Sequence, residues 1–160
     1  MIFELLERLL SRFRSDLRPG LVPSRLRKVR PGIDTTQDVL ARLGPPTLTW
    51  QEHAGVTWEY ACLSVVSENY MIDFDTEGRV RRIRQVLNEA NFARIVRGMD
   101  KEDVRRMLGK PARETHYSLK NEEVWDWKIP ATAGSVASFN VHFDPAGQVR
   151  TTSRSFDAQP

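Results

Sequence analysis

Apolar residues along this chain change period several times, and the changes mark out its elements. Between Met1 and Leu17, the residues Ile2, Leu5, Leu6, Leu9, Leu10, Phe13 and Leu17 recur at helical spacing, with Glu4, Glu7, Arg8, Arg12 and Arg14 between them. This predicts an amphipathic helix stopped by Pro19-Gly20. Further on, Val39 and Leu43 lie one turn apart, Gly44 follows, and Pro45-Pro46 forbid continuation, so a short helix ends there. Val56, Trp58 and Tyr60 then alternate with Thr57 and Glu59, and Tyr70, Ile72 and Phe74 alternate with Met71 and Asp73. That is the pattern of strands with one buried face. Asp75-Thr76-Glu77-Gly78 reads as a turn returning the chain into a further strand.

The same pattern occurs twice. Leu26, Val29 and Gly32 match Phe92, Ile95 and Gly98 at an offset of 66 residues, and Val39, Leu43, Gly44 and Pro46 match Val104, Leu108, Gly109 and Pro111 at 65. Trp58 and Tyr60 match Trp125 and Trp127 at 67, while Tyr70, Ile72, Phe74, Asp75, Gly78 and Val80 match Phe139, Val141, Phe143, Asp144, Gly147 and Val149 at 69. The offset changes only in connections, where insertions are tolerated. Ser24 and Asn88 are the expected N-caps of the first helix in each copy, and Asp34 with Gln37 and Asp100 with Asp103 those of the second. Gly44 and Gly109 are expected to end it in the left-handed conformation. Each copy reads α-α-β-β-β, with a possible extra strand near 47–52 and 112–117. The predicted fold is therefore α+β, with short helices packed on one face of an antiparallel sheet in each of two tandem units. The predicted division is an amphipathic segment over 1–23, repeats over 24–87 and 88–156, and a tail over 157–160.

The chain of 160 residues, 40% hydrophobic and 28% charged, suits one ordinary domain or two very small ones, and excludes a large multidomain enzyme and general disorder. No apolar run approaches the ~18 residues of a membrane-spanning helix, and Cys62, the one cysteine, can make no internal disulfide. The net charge of +3 is concentrated at the amino end, where residues 1–30 hold eight Lys/Arg against three Asp/Glu. A nearly balanced body argues against nucleic acid as partner. Glu4, Glu7 and Arg8 interrupt the apolar run that an export signal needs, and no cysteine follows to carry lipid. Residues 1–17 therefore read as a helix packed on its own domain or an aberrant leader, or as a contact with a membrane surface.

Candidate chemistry is sparse. His53, His116 and His142 are scattered without metal-ligand spacing, and no phosphate loop or nucleophile elbow occurs. No cofactor, metal or catalytic residue is predicted. Trp58 with Tyr60, and Trp125 with Trp127, share a strand face with Val56 and Ile129, which assigns the aromatic pairs to the side packed on the helices. The opposite face then presents Glu59, Asp73 and Arg81 in the first copy, and Asp126, Lys128, Asn140, His142 and Arg150 in the second. These eight are the candidate contact residues.

The string Gly32-Ile33, Val39, Leu43-Gly44-Pro45-Pro46, Trp58-Glu59-Tyr60 and Phe74-Asp75 with Gly78 and Val80 resembles the SmpA/OmlA family, the BamE-like small outer-membrane lipoproteins. Gly98-Met99, Val104, Leu108-Gly109-Lys110-Pro111, Trp125-Asp126-Trp127 and Phe143-Asp144 with Gly147 and Val149 looks closer still. The resemblance implies a non-catalytic bacterial envelope protein on the periplasmic face of the outer membrane. It would bind other envelope proteins, with the β-barrel assembly machinery among the implied partners. The tandem arrangement also resembles β-lactamase inhibitor protein, which makes a soluble inhibitor-like binder the alternative. An enzyme of unknown reaction stands third.

Overall fold

The computed structural model describes residues 22–156; the amphipathic segment over residues 1–17 and the tail over 157–160 lie outside the described residues. The first half forms α1 (Val22–Leu26), α2 (Thr36–Leu43), β1 (Leu48–Glu52), β2 (Gly55–Leu63), β3 (Ser67–Phe74) and β4 (Val80–Gln85). The same order returns as α3 (Glu89–Phe92), α4 (Lys101–Leu108), β5 (Arg113–Tyr117), β6 (Glu122–Pro130), β7 (Val136–Phe143) and β8 (Val149–Phe156), with a 3-10 turn at Thr132–Gly134. The strands make two four-stranded antiparallel meanders, β1-β2-β3-β4 and β5-β6-β7-β8. This is the α+β architecture in tandem units that the repeat predicts, and the extra strands expected near 47–52 and 112–117 are β1 and β5.

Contacts divide the chain into two compact units. One joins the chain up to Cys62 with Tyr70–Arg84, and the other joins Leu63–Asn69 with the chain from Gln85 onward. In the first, Trp58, Tyr60, Ile72, Phe74 and Val80 pack with Leu26, Val29, Val39 and Leu43. In the second, Trp125, Trp127, Phe139, Val141, Phe143 and Val149 pack with Phe92, Ile95, Val104 and Leu108. Both aromatic pairs thus lie on the helix side. They form edge-to-face contacts there, Trp58 with Phe74 and Trp125 with Phe143, each at 4.8 Å between ring centroids.

The caps correct the sequence reading in the first unit. Asp100 caps α4 and accepts from the Asp103 amide, and Asn88 caps α3 and accepts from the Asn91 amide. Ser24, however, lies inside α1. The N-cap of α2 is Thr35, in a reciprocal capping box with Asp38. Thr35 and Asp100 each make an isolated bridge to the strand after the Asp-Gly turn, with Arg79 and Gln148 respectively, so the repeat has already lost one residue of offset before the cap. Asp34, displaced from the cap, is buried and accepts from the Arg30 amide and from the Arg30 and Arg42 guanidinium groups.

Gly44 and Gly109 end α2 and α4 with φ of 76° and 74°, and ψ of −166° in both. The positive φ is the one expected. The ψ differs from the left-handed helical value and falls in a region open essentially to glycine alone. That geometry turns the chain outward in an extended direction toward β1 and β5. Beside Gly109, the buried Asn69 side chain donates to the Leu108 carbonyl at 2.7 Å and the Lys110 carbonyl at 2.9 Å, which satisfies the end of α4.

Gly109→Val is expected to destabilise the chain by about 1–3 kcal/mol in urea melts through backbone strain. A Cβ there would also stand 2.8 Å from the Asn69 amide nitrogen. The penalty should therefore shrink in an Asn69→Ala background. Strict additivity of the two substitutions would show that this close approach contributes nothing.

Candidate binding face

The side of each sheet away from the helices carries the polar positions. In the first sheet β1 runs antiparallel to β2, with Leu48 opposite Glu59 and Trp50 opposite Thr57. Asp73 is the hub of this side. Its Oδ1 accepts from Thr57 Oγ1 at 2.8 Å and from Arg84 Nη2 at 2.8 Å, and its Oδ2 accepts from Arg82 Nε at 2.5 Å and Arg84 Nε at 3.0 Å. Burial pushes the Asp73 carboxyl upward, but the hydrogen bonds from Arg84, Arg82 and Thr57 outweigh it and hold the group below the usual carboxylate range.

In the second sheet the register places Arg113 opposite Asp126, Asp126 opposite Asn140, and Asn140 opposite Ser153. Arg113 Nε donates to Asp126 at 2.8 Å, and Asn140 Nδ2 donates to Ser153 and Ser155 at 3.2 and 3.1 Å. His142 lies 2.8 Å from Ser153 Oγ through Nε2 and 3.4 Å from Glu122 through Nδ1, and Arg150 stands 3.6 Å from the same carboxylate. A recess of about 250 Å³ opens over this network, and one of about 320 Å³ lies beside Asp73 in the first unit.

The eight candidates are dispersed in exposure. Glu59 is fully buried, Asp73, Asp126 and Asn140 are buried, Lys128 and His142 are half-buried, and only Arg81 and Arg150 are exposed. A sheet face read as open to water is thus closed at its strand centres, where long side chains from neighbouring strands lie across it, Arg82 and Arg84 over Asp73 and Arg113 over Asp126. Strand alternation picked out Arg81 and passed over Arg82 and Arg84. Val80 and Ile83 both pack on the first core, so the alternation slips between them and turns Arg82 and Arg84 to the polar side. The second sheet shows the same irregularity, with Phe143 opposite Val149 but His142 opposite Thr151. Thr57, Arg113, Glu122, Ser153 and Ser155 were missed as well. Cross-strand register is the signal for Arg113, and it needs the hairpin geometry to be read.

Among the described residues no group of three or more His, Cys, Asp or Glu could hold a metal ion, and no helix is long and apolar enough to cross a membrane. Cys62 is buried in the first core.

Helix-ending glycines, aromatic pairs and Asp-Gly turns on an antiparallel meander are common to both units. Residues 21–84 match the family model described as the outer membrane protein assembly factor BamE domain, which bears out the resemblance for the first repeat. No curated protein matches the chain. A solved structure described as the osmotically inducible lipoprotein OsmE aligns at 23% identity and a TM-score of 0.38, over 43% of this chain and 72% of its own. A Streptococcus mutans protein described as a β-lactamase inhibitor protein aligns at 14% identity and a TM-score of 0.34, over 89% of this chain and 100% of its own. The DUF4309 family protein YjgB from Bacillus subtilis subsp. subtilis str. 168 aligns at 14% identity and a TM-score of 0.33, over 96% and 97%. At these scores no functional conclusion follows from the three structures.

Because the folded pKa of Asp73 lies below its unfolded value, its stabilisation is fully present above the unfolded pKa near 4 and is lost as pH falls through the folded one. The stability difference between the native chain and Asp73→Asn should therefore be largest at neutral pH and shrink below about pH 4, as read from thermal melts across the acid range. A difference independent of pH would remove Asp73 from the set of carboxylates that govern acid unfolding.

Proposed function

We propose that this protein is a non-catalytic, protein-binding factor of the bacterial cell envelope, acting in outer-membrane assembly or envelope maintenance. The observation that carries the reading is the match of residues 21–84 to the BamE domain model. The arrangement of charge supports it. Asp73 and Asp126 are held by arginines, and Glu122 stands beside Arg150 and His142, so the charged groups of both polar faces are fixed in place by their neighbours. Such a face recognises by shape and charge. The partners are other envelope proteins, the β-barrel assembly machinery foremost among them, on the periplasmic face of the outer membrane.

Fractionation of the native cells, followed by crosslinking in the intact envelope, tests the reading. The chain is expected in the envelope fraction with crosslinks to outer-membrane assembly proteins. Recovery wholly in the cytosolic fraction, or an envelope-bound chain without protein crosslinks, overturns it.

A further inference from the structure

We propose that the arginine cluster beside Asp73 is a docking site for an acidic, carboxylate-bearing segment of a partner protein; this rests on the protein-binding reading above and specifies the chemistry its partner must carry. The four hydrogen bonds to Asp73 spend its carboxylate oxygens, but they use only Nε of Arg82 and Nε and Nη2 of Arg84. A guanidinium carries five N–H donors. Both Nη groups of Arg82 and Nη1 of Arg84 make no hydrogen bond among the described residues, and Arg82 is 66% exposed. Arg81, exposed on the same strand, adds a third cation. The recess of about 320 Å³ is lined by these three arginines with Thr57, Asp73 and Glu52 among others, so three guanidinium groups face two carboxylates there.

Asp73 does more than offset charge. Held by Thr57 on the neighbouring strand, it fixes two forked donors in place before any partner arrives, which lowers the ordering cost of binding. Planar guanidinium forks match carboxylates bidentately. A lipid surface would call for apolar side chains projecting among the cations. Among the described residues of this unit, the exposed large hydrophobic ones, Ile33 and Leu48, do not line the recess.

At the offset of 69 that aligns Phe74 with Phe143 and Val80 with Val149, Asp73, Arg82 and Arg84 correspond to His142, Thr151 and Ser153. Arg81 corresponds to Arg150, so the core positions and this one arginine agree between the copies, while Asp73, Arg82 and Arg84 do not. In the second unit the charges close on one another, Arg113 on Asp126 and Arg150 on Glu122.

Fluorescence anisotropy of a labelled hexaglutamate peptide with the full chain at low ionic strength tests the proposal. Saturable binding is expected, weakened at least about tenfold by Arg81→Gln/Arg82→Gln and changed less than about twofold by Arg94→Gln/Arg97→Gln, which removes two exposed charges elsewhere. Arg81→Gln alone, at a side chain with no hydrogen bond or ion pair among the described residues, should weaken binding about threefold at an unchanged melting temperature. Absent saturable binding, equal weakening by both double variants, or an Arg81- and Arg82-dependent binding of phosphatidylglycerol vesicles without binding of the peptide each overturns it. Any of these together with the expected envelope crosslinks leaves the protein-binding reading standing, whereas cytosolic recovery of a chain that still binds the peptide overturns that reading alone.

Discussion

Each unit depends on one hydrogen bond, between an aromatic side chain of its second strand and the carbonyl of the glycine that ends its second helix. Tyr60 Oη donates to Gly44 O at 2.9 Å, and Trp127 Nε1 donates to Gly109 O at 3.2 Å. A helix terminus leaves carbonyls unmet, and a core is where that costs most, on the order of 1–3 kcal/mol per group. Tyrosine and tryptophan solve this by bringing a large apolar body with one polar handle. The glycine completes the pair, because only its ψ of −166° at positive φ turns the carbonyl toward the ring while aiming the chain into the first strand. The contact thus ties the end of the helix to the second strand where the chain leaves for β1 or β5.

With folding assigned to the helix side, the other side of each sheet is left to differ. Val39 and Val104, Leu43 and Leu108, Phe74 and Phe143, and Val80 and Val149 are the same residues at corresponding places and are all buried to near completion. On the polar side the copies share little. One builds a carboxylate held by two arginines with a third beside them, the other a mesh of mutually closed polar groups. A repeat whose interior is kept and whose exterior has parted company behaves as one scaffold carrying two surfaces.

The helices, strands and core were legible because hydrophobic period and glycine-proline punctuation are local signals. Trp58 and Tyr60 could be placed on the packed side from their spacing to Val56 alone. What was not legible required geometry between elements. Asp34 and Thr35 are both good caps, and only the bridge to Arg79 decides for Thr35. Arg82 and Arg84, the partners of Asp73, were passed over for Arg81 because the strand slips by one residue after Val80, which no alternation rule anticipates. Burial of Asp126 beneath Arg113 follows from strand register, and the role of Asn69 from a contact across 39 residues.

That last contact bears on how the chain is made. Asn69 belongs by its contacts with the later part of the sequence, and its side-chain Nδ2 donates to the carbonyls of Leu108 and Lys110. A ribosome working at roughly 5–20 residues per second delivers Leu108 a few seconds after Asn69. During that interval the opening residues of β3 have no helix end to meet, although most of the strands around them already exist. The first half of the chain thus emerges with one polar group held open for the second.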